Sequence, residues 1–337
     1  MADTTKTTPE PAPKRRGPGR PPKNKPKKRL DRRGIIEKPS NFGKVPDRSV
    51  NTIELVYENP QMFKKIFQLF KVYNVEQISV LFDVDKLYMY ALDHTKNVTL
   101  CVEILGSMMN AYYVEKPWHI NLDTGQFHKI FQGIGKEFTR IVFVTSRSHQ
   151  NIKIWMIFFD DQNNNSRYEI ELNDPKEDEV PLENVKNLFA QHSTYPVSFE
   201  LDFKRFKSKI AELGNLSKKF EIQQDLTRKG TSIYFTSKTV DNKVKNTSPL
   251  NHPGKINLVN TYTGDLFTAP IFISNIKPFS ASTISDTASF YVDDKKDIIF
   301  KTALDLDDNP SNKEKLADSE KGYIWMASKL AFSEDYA

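Results

Sequence analysis

One order of elements is written twice along this chain, and that repetition restricts the fold more than any single motif. From Asn51 to Tyr57 residues alternate as in a half-buried strand. Asn59-Pro60 then opens a helix, since proline near the first turn gives up an N–H that has no partner there. Met62, Phe63, Ile66, Phe67, Phe70 and Tyr73 give that helix one apolar stripe. β-type runs follow at 76–82, 86–92, 98–105, 111–115 and 118–122. A second helix starts at Asp123, with Phe127, Ile130, Phe131 and Ile134 inward and Gly133 and Gly135 helping to end it. Runs at 138–145, 153–159 and 168–172 complete the first half.

At Val197 the order begins again. A strand over 197–201 leads to a helix capped by Asp202, with Phe203, Phe206, Ile210 and Leu213 facing inward. Runs follow at 220–224, 232–237, 255–260 and 266–272, then a short helix near Ser274 to Ile284 that Pro278 limits or kinks. Strands at 288–292, 298–303 and 323–329 close the chain. Four strand–helix–strands units in two halves predict an α+β fold of mainly antiparallel, meander-like sheets. The expected divisions are an arm over 1–48, a first domain over 49–172, a connector over 173–195 and a second domain over 196–337. Acidic at first and carrying Pro175 and Pro181, the connector reads as an extended crossing with an apolar spot at Val180-Pro181-Leu182.

Charge is distributed unevenly. Between Lys14 and Arg33 eleven cations stand against Asp31 alone, so this stretch carries +10 of a total of +6 and the remainder carries −4. The stretch has too few apolar residues to offset its ordering entropy, and is expected to be disordered when free. Its centre, Arg15-Arg16-Gly17-Pro18-Gly19-Arg20-Pro21-Pro22-Lys23, looks like an AT-hook. Prolines keep such a backbone extended and slim, and Arg16, Arg20 and Lys23 suit the negative potential of a narrow A·T minor groove. A solvated tail or a nuclear-import patch at Lys25 to Arg29 are the other readings.

The mildly acidic body keeps its cations on particular faces. At about 100° per residue, the first helix places Gln61, Lys64, Gln68 and Lys71 opposite its stripe, with Lys65 beside them. The second places Lys129, Gln132 and Lys136 there. The third places Lys204, Arg205 and Ser208 there, flanked by Lys207 and Lys209, and the fourth contributes Lys277. Any one such face is an ordinary solvated surface. Their recurrence at repeated positions reads as a lining for a polyanion.

Several classes find no support. The longest apolar run, Ile154 to Phe159, is far below the roughly 20 residues of a membrane helix. The polar N-terminus has no apolar core of a secretory signal. Cys101 is the one cysteine, so no intrachain disulfide or cysteine-based zinc cage can form; within its strand it reads as a buried, inert thiol. The six histidines lack ligand spacing, and Asp83-Val84-Asp85 and Asp160-Asp161 sit at strand ends beside turn residues. No nucleophile elbow or phosphate-cradling loop is present, so neither an enzyme nor a cofactor is expected.

The stretch Thr52-Ile-Glu-Leu-Val-Tyr-Glu-Asn-Pro60, Phe63-Lys-Lys-Ile-Phe67, residues 78–93, Asn97-Val-Thr-Leu100, Val180-Pro181 and Tyr323-Ile-Trp-Met-Ala-Ser-Lys329 together resemble the PCNA-type DNA sliding clamps. With its basic arm and Arg32-Arg33-Gly34-Ile35-Ile36-Glu37-Lys38-Pro39, the chain looks like the clamp-like proteins of asfarvirus-type large DNA viruses. The resemblance implies a DNA-clamp fold of two similar domains, each with two helices on curved antiparallel sheets, in a homotrimeric ring around double-stranded DNA. It implies a processivity factor for DNA polymerase that also docks repair enzymes through short peptides. It further implies an intracellular site, in a cytoplasmic viral factory or the host nucleus. The partner groove falls by position on Leu92, Val98, Leu100, Val180, Pro181, Leu182, Trp325 and Ala327. Ser328 stands where the family often has proline, no proline precedes the penultimate strand near Asp297, and 306–321 is a longer acidic stretch, all of which bear on peptide specificity. The alternatives are a clamp-fold viral late transcription factor acting through protein contacts, and a nonspecific DNA-packaging protein working through its arm.

Overall fold

Strand order shows the repetition directly. The computed structural model describes residues 51–146, 153–172, 181–225, 232–238, 245–249, 256–260, 263, 266–282, 286–304 and 322–331. The first half runs β1 (Asn51–Tyr57), α1 (Pro60–Val72), β2 (Gln77–Phe82), β3 (Lys86–Leu92), β4 (Val98–Leu105), β5 (Ala111–Val114), β6 (Trp118–Asp123), α2 (Thr124–Gly133), β7 (Phe138–Ser146), β8 (Lys153–Asp160) and β9 (Asn165–Glu171). A helix, α3 (Leu182–Ala190), and a 3-10 turn (Gln191–Thr194) come between. The second half runs β10 (Val197–Asp202), α4 (Phe203–Gly214), β11 (Lys219–Asp225), β12 (Ser232–Lys238), β13 (Lys245–Pro249), β14 (Ile256–Asn260), β15 (Leu266–Phe272), α5 (Ile273–Ala281), β16 (Thr287–Val292), β17 (Ile298–Ala303) and β18 (Tyr323–Ser328).

All described strand pairings are antiparallel. Each half makes a five-stranded and a four-stranded sheet in the same order. In the second half the five are β14-β10-β16-β17-β18, and in the first they are β5-β1-β7-β8-β9. The four are β4-β3-β2-β6 in the first half and β13-β12-β11-β15 in the second. One five and one four are fused: β18 pairs with β4, Trp325 opposite Cys101 and Ala327 opposite Thr99, to give a nine-stranded sheet across both halves. The other five and four end in separate edges at β9 and β13.

Local chemistry starts and stops the helices. Pro60 takes the first position of α1, and Asn74 just beyond its end has φ 53°, a left-handed conformation that asparagine tolerates. The Asp123 carboxylate accepts the Gln126 N–H at 2.6 Å, and Asp202 accepts the Arg205 N–H at 2.9 Å. Each such cap contributes about 1 kcal/mol. Phe63 and Phe67 of α1 pack on Phe127 and Phe131 of α2, while Phe203 and Phe206 of α4 pack with Phe279 of α5 and with Phe290 and Phe300. These rings belong to one core under four helices, and truncating any of them costs about 3–5 kcal/mol.

The connector corrects an expectation. Its described part is a helix, not an extended crossing, because Leu182, Val185, Leu188 and Phe189 recur at helical spacing and find an apolar face to cover. Val180 lies outside the described residues, as does 306–321. Neither β13, with its polar sequence Lys-Asn-Thr-Ser-Pro, nor the early start of β9 at Asn165 carries an apolar period, and both were missed.

Candidate nucleic-acid interface and outer docking face

Four of the helices form one layer. α2 packs on α1, α1 on α5, and α5 on α4, all on the same core. With the apolar stripe of each helix turned to that core, the opposite faces carry the predicted cations. Lys71, Lys129, Lys204, Lys207 and Lys277 are exposed; Lys64, Lys65 and Arg205 are half-buried. Lys136 is exposed too, but α2 ends at Gly133, so it sits in the following turn rather than on the helix face; Gly133 and the extended Ile134 stop the helix first. Arg16, Arg20 and Lys23 fall outside the described residues.

These cations differ from Lys86 and Lys153 on the sheets, which are paired with carboxylates. Among the described residues, Lys64, Lys65, Lys71, Lys129, Lys204, Arg205, Lys207 and Lys277 form no ion pair, and on α4 only Lys209 does, with Glu212. On the sheets, Lys86 is 2.8 Å from Glu103 and Lys153 is 2.7 Å from Glu169. A cation paired with a carboxylate has little left to offer a phosphate; an unpaired one brings its full charge. The helix faces also feel one another. Burial, then the ammoniums of Lys71 and Lys64 across the α1–α2 contact, lowers the pKa of His128, whose Nδ1 is buried without a hydrogen bond.

The opposite face of the nine-stranded sheet is aromatic. Tyr88, Tyr90, Cys101, Ile299, Trp325 and Ala327 project there, and α3 covers them with Val185 and Phe189. The Phe189 and Trp325 rings lie 5.6 Å apart. His192 meets Trp325 at 5.1 Å and Tyr291 at 4.8 Å, with Nδ1 2.7 Å from the Phe189 carbonyl oxygen. Lys186 stands over Tyr88, and Lys301 over Tyr323 and Trp325. Burial pushes the Cys101 thiol well above its usual range, so it stays protonated.

Only part of the expected groove collects here. Trp325 and Ala327 are on this face, Leu182 packs against it from α3, and Pro181 caps α3 as an exposed residue. Leu92 shares the side of β3 that carries Tyr88 and Tyr90. Val98 and Leu100 do not belong. They are 1% and 0% exposed and lie in the helix-side core, because side chains alternate and Cys101 is the β4 residue opposite Trp325. Reasoning from sequence missed Val185, Phe189, His192 and Tyr88; the helical spacing inside the connector was the available signal.

Asp83 and Asp160 build turns. The Asp83 carboxylate accepts the Val84 N–H, and Asp160 accepts the N–H groups of Gln162 and Asn164. The Asn164 side-chain hydrogen bond leads in holding the Asp160 carboxyl below its usual range. Among the described residues no cluster of three or more His, Cys, Asp or Glu could hold a metal, and no helix is long and apolar enough to cross a membrane.

This architecture is the PCNA-like clamp fold. The chain superposes on proliferating cell nuclear antigen from Entamoeba histolytica with TM-score 0.64 at 10% identity, covering 84% of this chain and 100% of that one. The Thermococcus kodakaraensis PCNA gives 0.62 at 13%, covering 83% and 100%. In sequence, the chain is similar to an uncharacterized protein of African swine fever virus. Identity is 25% over 294 residues, 86% of this chain and 94% of the relative, and the same figures hold for a tick isolate from Malawi and a pig isolate from Kenya. No protein-family model matches the chain.

Proposed function

We propose that this protein is a DNA sliding clamp of a large DNA virus, a homotrimeric ring that encircles duplex DNA and holds a DNA polymerase to its template. One observation carries the reading. The chain fuses a five-stranded and a four-stranded sheet within itself and, among the described residues, leaves a second five and four with open edges at β9 and β13. Unpaired strand edges demand partners. The fusion inside the chain is the pattern for the fusion between chains: β9 of one copy against β13 of the next. That contact is head-to-tail, and a head-to-tail contact whose rotation closes gives a ring. Likeness of fold to PCNA favours three copies.

In such a ring the helix layer faces inward. Unpaired Lys and Arg then meet phosphates without reading bases, so binding is electrostatic and the ring slides. The basic arm adds a tether to A·T-rich minor grooves. Replication and repair enzymes dock outside, on the face of α3 and Trp325, in the infected cell's viral factory or nucleus. The test is retention on DNA. A ring stays on a closed circle and runs off a linear molecule of equal length at moderate salt. Equal loss from both would refute encirclement.

A further inference from the structure

The sheet β5-β1-β7-β8-β9 is apolar on both sides. Toward α1 and α2 it turns Ile141, Phe143, Ile154, Met156 and Phe158, with Phe143 against Phe63 and Phe158 against Phe131. Away from the helices it turns Val56, Val142, Val144, Trp155 and Ile157, a separate cluster in which each residue is at most 6% exposed. Glu54, opposite Val144 in the ladder, is buried beside them. The sequence agrees. Ile141-Val-Phe-Val144 and Ile154-Trp-Met-Ile-Phe-Phe159 are unbroken apolar runs, as in strands covered on both faces; a strand with one wet face would alternate. Among the described residues, the other apolar side chains in this cluster, Ala111 and Phe159, come from the same sheet. Arg140 over Phe159 and Arg167 over Trp155 shield one margin of it.

In the second half the matching face is covered by the segment that leads into its opening strand. By sheet order β10, β16 and β17 hold the places of β1, β7 and β8. α3 and the 3-10 turn run into β10 and bring Val185, Phe189 and Tyr195 into one cluster with Ile299 of β17 and Tyr291 of β16. The segment that leads into β1 ends at residue 50. We propose that residues 36–48 of this chain dock on the outer face of β1, β7 and β8, and so join the basic arm to the body on the side away from the helix layer. The chemistry matches. Ile36, Phe42 and Val45 supply apolar contact, and Lys38, Lys44 and Arg48 bring cations to the carboxylate of Glu54. Length is sufficient: Asn51 to Val56 covers about 17 Å of strand, while the nine steps from Asn51 back to Phe42 span up to about 30 Å. Two other stretches adjoin this sheet and suit it less. Residues 147–152, Arg-Ser-His-Gln-Asn-Ile, are a short polar link, and 173–180 would bring Asp174, Glu177, Asp178 and Glu179 toward Glu54. The inference does not depend on ring closure, since one chain holds both the face and the segment. Its consequence is a division of labour: the arm's cations grip DNA without crowding Lys64, Lys71 and Lys129.

The test uses the full-length chain. Photoreactive p-benzoylphenylalanine in place of Phe42 keeps an aromatic ring there, so the experiment needs no destabilised variant. After irradiation and digestion, mass spectrometry should find position 42 joined to peptides of β1, β7 or β8, in protein that runs at the mass of one chain on a denaturing gel. Linkage only to other elements, or none, would overturn the proposal; linkage only between chains would overturn it too, and give the face to a second copy. Independently, Phe42→Asp with Val45→Asp uncovers the face, so that melting temperature falls by about 4 °C or more and a hydrophobic dye binds. Arg16→Ala with Arg20→Ala changes the arm but not the segment, and leaves both readouts alone. Paired aspartates that move neither melting nor dye binding would contradict the docking.

Discussion

Replacing Lys64, Lys71, Lys129 and Lys204 together with alanine tests the helix layer most sharply. None of the four pairs with a carboxylate among the described residues, so their removal orphans no buried charge. Stability is therefore expected to move by no more than about 0.5 kcal/mol per site. DNA binding behaves differently. Each phosphate contact steepens the dependence of log affinity on log salt by about 0.9, so four lost contacts flatten the slope by about 3.6. Between about 50 and 200 mM salt, log affinity of the wild type then falls by about 2.2 more than that of the variant, about 150-fold. The assay is fluorescence anisotropy on a short duplex across a salt series, with residues 1–48 removed from both proteins to silence the arm. Lys153→Ala, which deletes a cation already 2.7 Å from Glu169, is the control and leaves the slope alone. An unchanged slope in a folded quadruple variant would refute the claim that these faces meet DNA.

The outer face carries a pH dependence. Burial leads in lowering the His192 pKa, the Phe189 carbonyl opposes it, and Lys301 adds to it. The folded state thus prefers neutral imidazole, while the unfolded chain takes up its proton near pH 6.5. Stability from this group is complete above that value and is lost as pH falls below it. Melting temperature should drop more between pH 7.5 and 5.5 for wild type than for His192→Gln; equal drops would contradict the assignment. Phe189→Ala removes the ring that α3 lays against Trp325 and costs about 3 kcal/mol if the whole body melts as one unit. A cost below about 0.5 kcal/mol would mean that α3 melts separately from the sheet beneath it.

Much of this architecture was legible in the sequence for a physical reason. Asn59-Pro60, Asp123 and Asp202 mark helix starts with side-chain and backbone chemistry that does not depend on tertiary context. The phenylalanine stripes fix which face of each helix is buried, and so fix where the lysines point. What escaped was set by neighbours. β13 is a strand because β12 offers it hydrogen bonds, not because Lys-Asn-Thr-Ser-Pro favours one. α3 is a helix because the Tyr88 and Trp325 face gives its stripe somewhere to lie. Val98 and Leu100 read as groove residues by position, yet a one-residue step along a strand changes faces, and only the register of β18 on β4 decided which side they took. The basic arm, for its part, lies outside the described residues.

Ring closure depends on the two open half-sheets finding each other across chains, and the mass of the particle in solution tests that most directly. Light scattering on the full-length protein should give three times the 38.9 kDa of a single chain, with or without DNA. A particle of one chain's mass at every concentration, on DNA as well as off it, would contradict it.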